Sequence, residues 1–395
     1  MADETNPNHL PATDNNEGST LLHGQVALLH SGYQIDMSLM GAMDVTNYSS
    51  DEIPDTTAAQ LNMDMLWMIS PSQFEWYLGD VFMQTAIDST SNITPGNQQD
   101  INAYSTGPNY IIRLDRRSKL LFQARVNDYY YENVDTDNYR YIGVTRFEYD
   151  ISSTLNSVAG YEHTNIRYDN NIDNIDYIRN DAFVSVNHHK HFYEAEILVG
   201  STQISRYFLE DLLKPRFSLS VQNRRSWTTD IRFVYLTDLS DASNDIFSID
   251  DHFTQNADFL LSSISSLYNR KTIALDLTKS ITSGQIVVSL RQTSADYYDD
   301  DTLDQIVNRG TVTYEFSASP RSRVAMNIIR QNTEYTERLV PRTDDDTLAS
   351  INYVYSASRQ INISARVETS LRESTSASDN YDNNRIMFSV EYISN

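Results

Sequence analysis

The chain has no cysteine, so no disulfide holds its fold, and the absence is compatible with an oxidising compartment. It has no apolar run approaching the roughly 18 residues of a membrane helix, and its mean hydropathy is -0.49. That excludes helical spans but leaves strands, because a transmembrane barrel hides its signal in alternation, with half of each strand facing a wet lumen. Basic residues are outnumbered, 30 Lys and Arg against 54 Asp and Glu, for a net charge of -24. Nothing of that charge could neutralise a phosphate backbone, so nucleic acid is excluded as a partner. There is no Pro/Gly-rich linker and no shift of composition within the 395 residues, which favours one large sheet over two or three domains. Met1 is followed at once by a polar segment rather than a signal peptide, and reads as an added start on an already processed exported chain. Neither a nucleophile elbow nor a phosphate loop is present, and the expectation is that the protein is not an enzyme.

What is present is alternation of period two. In Leu348 to Glu373, Ile351, Tyr353 and Tyr355 alternate with polar or small residues, and a Ser-Ala-Ser-Arg turn follows. Ile361, Ile363, Ala365, Val367 and Leu371 then alternate with Asn362, Ser364, Arg366, Glu368 and Ser370. Period two means strand, with one apolar and one polar face. Tyrosine, at 26 residues, far exceeds Phe at 14 and Trp at 3, which suits a ring that is apolar at one end and wet at the other, as at a membrane interface.

Residues 1–19 are polar and aperiodic and are read as a disordered tail, with 20–395 as the barrel. Short turns punctuate the rest, at Ser70-Pro71-Ser72, Arg117-Ser118-Lys119, Ser152-Ser153, His188-His189-Lys190, Arg224-Arg225-Ser226, Ser283-Gly284, Ser319-Pro320-Arg321 and Ala357-Ser358-Arg359. Between successive short turns lie two strands and one longer acidic or Asn-rich loop, such as 88–108 or 334–346. Sorting connections by parity is the asymmetry of an outer-membrane barrel, whereas a soluble sandwich or solenoid has no reason to do so. The fold class expected is all-β, a single antiparallel transmembrane β-barrel of about 18 strands (range 16 to 20) counted from Ile35, with short periplasmic turns and long extracellular loops. Residues 20–29 are one more strand or a packed tail. Residues 251–269 carry apolar positions at helical spacing and read either as a loop helix acting as a plug or as a further pair of strands. The final strand alternates Ile386, Phe388, Val390 and Tyr392, but the chain ends Ile-Ser-Asn, which blurs the terminal aromatic that barrel assembly usually reads.

If Ile361, Ile363 and Ala365 face lipid, Arg366 and Glu368 face the lumen. The same rule turns Gln123 and Arg125, Arg232, Arg291, and Asn327 inward. Arg125, Arg232, Arg291 and Arg366 each follow their turn by seven or eight residues, which predicts an arginine belt at one height, suited to the carboxylates of an acidic sugar or solute. The alternative is that these arginines pair with Glu194, Glu196, Asp230, Glu315 and Glu368 in a salt-bridge network that fills the lumen. His188, His189 and His191 read as a solvated turn rather than a metal site, and no cofactor is expected. The acidic runs 299–301 and 344–346 could hold Ca²⁺ among lipopolysaccharide phosphates, or be solvated loops.

The Tyr-rich strands, Ser/Arg turns and Asp/Asn-Tyr loops, as in YYYENVDTDNYRY from Tyr129 and EHTNIRYDNNIDNIDY from Glu162, resemble the outer-membrane β-barrel porins found with exopolysaccharide biosynthesis systems. The resemblance implies a Gram-negative outer-membrane barrel that passes a secreted polysaccharide, with lipopolysaccharide around it and periplasmic export proteins as partners. It carries over no site residues. Beside this reading stand a general or solute-selective diffusion porin, and a closed barrel used as a surface scaffold or adhesin.

Overall fold

The computed structural model describes residues 2–4, 17–49, 55–87, 95–170, 175–207, 209–226, 228–241, 266–338, 340–376 and 379–392. The first strand is only Ala2–Glu4 (β1). Hairpins follow: Glu17–Ser31 (β2) with Ile35–Tyr48 (β3), Thr56–Ser70 (β4) with Phe74–Ala86 (β5), Gln98–Arg113 (β6) with Ser118–Tyr131 (β7), and Asn138–Ser152 (β8) with Leu155–Tyr168 (β9). Then come Tyr177–Lys190 (β10) with Tyr193–Arg206 (β11), Leu212–Ser226 (β12) with Thr229–Ser240 (β13), and Tyr268–Ile281 (β14) with Gly284–Tyr297 (β15). Gln305–Ser319 (β16) with Ser322–Tyr335 (β17), Arg342–Ser356 (β18) with Ile361–Ser374 (β19), and the lone Tyr381–Tyr392 (β20) complete the order. Eighteen of these strands lie between Ile35 and Tyr392, as the turn spacing predicts.

Every neighbouring pair is antiparallel, and every pair but β1–β20 is consecutive, so one 20-stranded meander holds the whole described chain. Connections inside the hairpins are two to four residues long, and those between hairpins run from five to 27. The parity asymmetry read from the sequence is therefore complete, with one short-turn rim and one long-loop rim. The short bridges need little closure entropy and fix register on one rim, leaving length variation to the other.

The meander is not sewn along its whole height. β1 pairs with Gly18 and its neighbours on β2 and with Ile386 and its neighbours on β20, three residues on each side. Among the described residues the long strands β2 and β20 do not pair with each other. Both are antiparallel to β1, so they run parallel to one another across a seam one strand wide.

Faces follow the pleat. On β7, Phe122, Val126 and Tyr130 are exposed on the outer side while Asn127 and Tyr129 are buried on the inner side. Counting from the short-turn rim, the outward row is apolar for about nine residues and then turns polar. On β7 it runs Leu120, Phe122, Ala124, Val126 and then Asp128; on β15, Ile286, Val288, Leu290 and then Gln292; on β17, Val324, Met326, Ile328 and then Arg330. Nine residues span roughly 30 Å along a strand, which tilting reduces toward the roughly 25 Å apolar band of an outer-membrane barrel. Outward aromatics frame the band, with Trp67 opposite Trp76 and with Tyr149, Tyr193 and Tyr355 toward the short turns, and Tyr104, Tyr130 and Tyr139 toward the long loops. Since the strands are 12 to 16 residues long apart from β1, their upper parts project beyond this band on the long-loop side.

Several expectations are corrected. Strand pairing recruits Ala2–Glu4 and Glu17–Ser19 from the tail read as disordered, while 5–16 lie outside the described residues. Residues 20–29 are strand, within β2. Of 251–269, Tyr268 and Asn269 open β14 because Tyr268 pairs with Ser240 and Tyr297, and 251–265 lie outside the described residues. The loop read at 88–108 ends at Asn97, since Gln98 onward pairs with β5, and the loop read at 334–346 shrinks to 336–341. In both cases polar residues alternate on the inner face, and an all-polar stretch hides that period from the sequence.

Candidate lumen site

Register places Arg125, Arg232, Arg291, Arg366, Gln123, Asn327, Glu196 and Glu368 on the inward face, each on the same side as a buried polar or small residue of its strand or its neighbour. They do not share one height. Arg125 and Arg291 stand seven residues above the first residue of their strands, Arg366 five and Arg232 three. Along the strand pairings Arg232 lies two residues below the rung of Arg291, about 7 Å of strand. The turns differ in length and place, so counting from a turn in the sequence does not measure height.

Arg125 is engaged by backbone. Gly107, at φ 156°, lies where a Cβ would meet the Ala124 carbonyl oxygen at 2.0 Å, and Pro108 beside it has no N–H to give the ladder. The β6–β7 pairing is interrupted there. The guanidinium fills the interruption, with Nη1 donating to the carbonyls of Pro108 at 2.9 Å and Ala124 at 2.8 Å and Nη2 donating to Asn109. It also lies 4.9 Å from the ring centre of Tyr77, whose hydroxyl donates to Asp64 at 2.6 Å. Gln123 donates to the same Asn109 at 3.2 Å. Arg366 is ion-paired with Glu368 on its own strand. Asn327 accepts from the Thr313 hydroxyl at 3.0 Å. Glu194 lies 3.1 Å from His189, Asp230 accepts from Gln222 at 2.7 Å, and Glu315 accepts from Gln285 at 3.2 Å. Among the described residues no group of three or more His, Asp or Glu side chains is placed to hold a metal.

The pairings reveal a row that no count from turns could find. Arg291 stands directly opposite Arg309, Arg309 opposite Gln331, Gln331 opposite Asp346, Asp346 opposite Arg372, and Arg372 opposite Tyr381. This one rung crosses β15 to β20 on the inner wall, near the level where the outer face stops being apolar. Arg372 is held by Asp346 through contacts of 2.6 and 3.0 Å. One row lower, Arg232 faces Asp276 across the strands. The charges that act on Arg291 are Asp276, Arg309 and Arg232.

Above this level the inner face is packed. Arg140 on β8 reaches Asp241, just past β13, with contacts of 2.6 and 3.2 Å, and both side chains are essentially buried. Tyr177 donates to the same carboxylate at 2.8 Å, Asn138 accepts from Arg140 at 2.9 Å, and the guanidinium lies 4.9 Å from the Tyr129 ring centre. Bridging β8 to the end of β13 spans five of twenty strands, so this contact draws together parts of the wall about a quarter of the way round from one another. Around it Ile166, Tyr168, Ile204, Leu239 and Leu267 form a buried cluster. Arg179 with Asp181, Arg270 with Asp238 and Arg342 with Asp344 are further pairs on the long-loop side. Most buried residues lie on this side of the wall, with Ser118 beside a short turn and Asn109 in the lower half of β6 as exceptions. The inner face nearer the short turns is open.

No family model matches the sequence, and no curated protein matches it. Solved structures do. The siderophore receptor PirA of Acinetobacter baumannii is 10% identical with a TM-score of 0.51, over 99% of this chain and 79% of that one. A variant of the ferric enterobactin receptor PfeA of Pseudomonas aeruginosa is 7% identical with a TM-score of 0.50, again over 99% and 79% of the two chains. At such identities the likeness is one of fold. Together with the apolar outer band, its aromatic frame and the sorted connections, it shows that the chain is built as an outer-membrane β-barrel.

Proposed function

We propose that the protein is an outer-membrane channel that passes a secreted polysaccharide through a polar lumen, acting as a conduit with no catalytic step of its own. The observation that carries the reading is the distribution of side chains across the wall. Aliphatic and aromatic residues predominate in the outward rows of the band, while Arg, Asp, Glu, Gln, Asn, Ser and Thr predominate in the inward rows. Hydroxyl, amide and guanidinium groups along the path replace the water that a moving sugar loses, and mobile water between them keeps any one stop from becoming a trap. The resemblance to porins found with exopolysaccharide systems favours a polysaccharide as the passenger, with lipopolysaccharide around the barrel and export proteins at its periplasmic rim. A solute-selective diffusion porin is the second reading, favoured by the Arg140–Asp241 contact, which narrows the long-loop half of the lumen.

The test is single-channel current of the detergent-folded protein in a planar bilayer, with saccharides added to either side. Discrete conductance that an oligosaccharide of several units interrupts supports the conduit. Conductance interrupted only by mono- and disaccharides moves the assignment to the diffusion porin. A folded, heat-modifiable barrel that conducts nothing overturns both.

A further inference from the structure

We infer that the outer face of the short-turn rim, along the arc from β10 to β14, binds the phosphates of anionic phospholipids in the leaflet around it. The inference goes beyond the channel reading and stands on the barrel alone.

Charge is divided unequally between the two rims. The long connections carry 24 Asp and Glu against Arg338 as their one cation, nearly the whole excess of a chain at -24. The short connections reverse the sign, with Asp115 against Arg116, Arg117, Arg321 and Arg359. Asp115 is itself taken up by the amides of Arg117 and Ser118.

The short-turn rim is also sorted between its faces. Asp36, Glu75, Glu148, Glu194, Asp230 and Glu315, all near short turns, lie on the inner face by register. Among the described residues the outward rows beside those turns carry no Asp or Glu. They do carry lysine. Lys190 ends β10, and Lys279 stands two residues before the end of β14. Both are exposed, and alternation sets Lys190 in line with the exposed Val184 and Val186, and Lys279 with the exposed Leu275 and Leu277. Between them, at the end of β12, Arg224 reaches Glu194 and Asp230, while its neighbour Arg225 is exposed with no acid partner among the described residues.

These three cations border the apolar outward rows, at the level where an interface tyrosine, Tyr193, pairs with Lys190 across the strands. That is the level of lipid headgroups. The arc from β10 to β14 covers four strand spacings, about 20 Å of rim. It has hydroxyls at its base. The Lys279 ammonium donates to Thr229 at 2.8 Å and to Thr228 at 3.3 Å, and Ser226 lies 2.9 Å from Thr228. Having accepted from the ammonium, the Thr229 hydroxyl keeps its own proton for a phosphate oxygen, beside the charge of Lys279.

Sidedness selects the occupant. A polyanion entering the lumen passes the acids of the inner face, whereas a lipid phosphate meets only the cations of the outer one. Cations near an anionic surface attract it within about a Debye length, which is enough for a headgroup lying against the wall.

The experiment is native mass spectrometry of the detergent-folded full chain with dioctanoyl phosphatidylglycerol and dioctanoyl phosphatidylcholine, equal in tails and different in net charge. The wild type is expected to hold phosphatidylglycerol at least about tenfold more tightly. Lys190→Gln, Arg225→Gln and Lys279→Gln together are expected to abolish the preference. Arg167→Gln, Lys271→Gln and Arg330→Gln, an equal change of charge on the outward face of the long-loop side, are expected to leave it intact. Equal affinity of the wild type for the two lipids overturns the site, as does a preference that survives the first variant or is lost equally in the second. Where the first variant does not fold, ammonium acetate raised to about 1 M on the wild type decides, because the Debye length falls to about 3 Å and the preference should vanish. A preference that persists there overturns the electrostatic site. Inorganic phosphate that displaces phosphatidylglycerol as effectively as the lipid itself also overturns it, by reducing the arc to a general anion patch.

Discussion

Asp241 illustrates what a single side chain can hold together. Its carboxylate takes two contacts from Arg140 and one from Tyr177, all buried, and so ties β8 and β10 to the far end of β13. Removing one partner leaves an unpaired charge out of water. Asp241→Asn or Arg140→Met is therefore expected to cost about 3 to 5 kcal/mol, read from urea unfolding in lipid vesicles, and the double variant less than the sum of the two. Asp80 is the opposite case. Register places it seventh from the short-turn rim on the outer row of β5, between Trp76, Leu78 and Phe82 and opposite Met63 and Tyr104, where the same level of other strands is apolar. A carboxyl in that band has no water to serve it, so Asp80→Leu is expected to stabilise the barrel by about 1 to 2 kcal/mol in the same assay. Part of this was legible in the sequence. Inward placement of Arg125, Arg232, Arg291 and Arg366 follows from alternation alone. That Arg125 is taken up by carbonyls depends on the break at Gly107 and Pro108 one strand away, and that Arg291 faces Arg309 depends on register, which no local pattern carries.

At the scale of the element, the recurring Asp/Asn-Tyr loops have a mechanical explanation. The amide of Tyr131, last in β7, donates to Asp137 at 2.7 Å; that of Tyr168, last in β9, to Asp176 at 2.9 Å; and that of Tyr297, last in β15, to Asp304 at 2.6 Å. Each loop thus ends in a carboxylate that closes it onto the final amide of the preceding strand. The tyrosine rings turn inward and are buried, so tyrosine serves the loop bases as well as the membrane interface that its abundance suggested. Asp137→Ala and Asp304→Ala are each expected to lose about 1 kcal/mol locally, seen as faster hydrogen exchange at Tyr131 or Tyr297 with the opposite rim unchanged. The short turns have their own device. The Arg117 and Ser118 amides donate to Asp115 at 2.7 and 2.8 Å, and these bonds hold its carboxyl below the usual range. A lowered value means that the contribution is present above the ordinary carboxylate range and lost as pH falls through the folded value. Acid below about pH 4 should therefore loosen the β6–β7 hairpin tip, and Asp115→Asn should abolish that pH dependence in exchange measurements.

For the whole molecule, the strand number and the sorting of connections were readable because turn residues and alternation are local. The closure was not, since it depends on which distant strands meet. Among the described residues β2 and β20 are joined only through the three residues of β1. Amides of Val26 to Leu29 and Phe388 to Val390 are expected to exchange faster than those of β8 and β9 at the same depth. Equal protection would mean that the two edges are sewn together in the membrane.

A continuous ring has no first strand to lose, since each is clamped on both sides and must leave with its neighbours. An unsewn line gives disassembly an address. β2 and β20 can peel as free ends, and each departure exposes the next strand in chain order, so the wall unzips from the termini inward instead of bursting at once. Assembly run backwards along that route leaves the two chain ends to meet last, and makes the seam the step at which a helper that brings strand edges together would act.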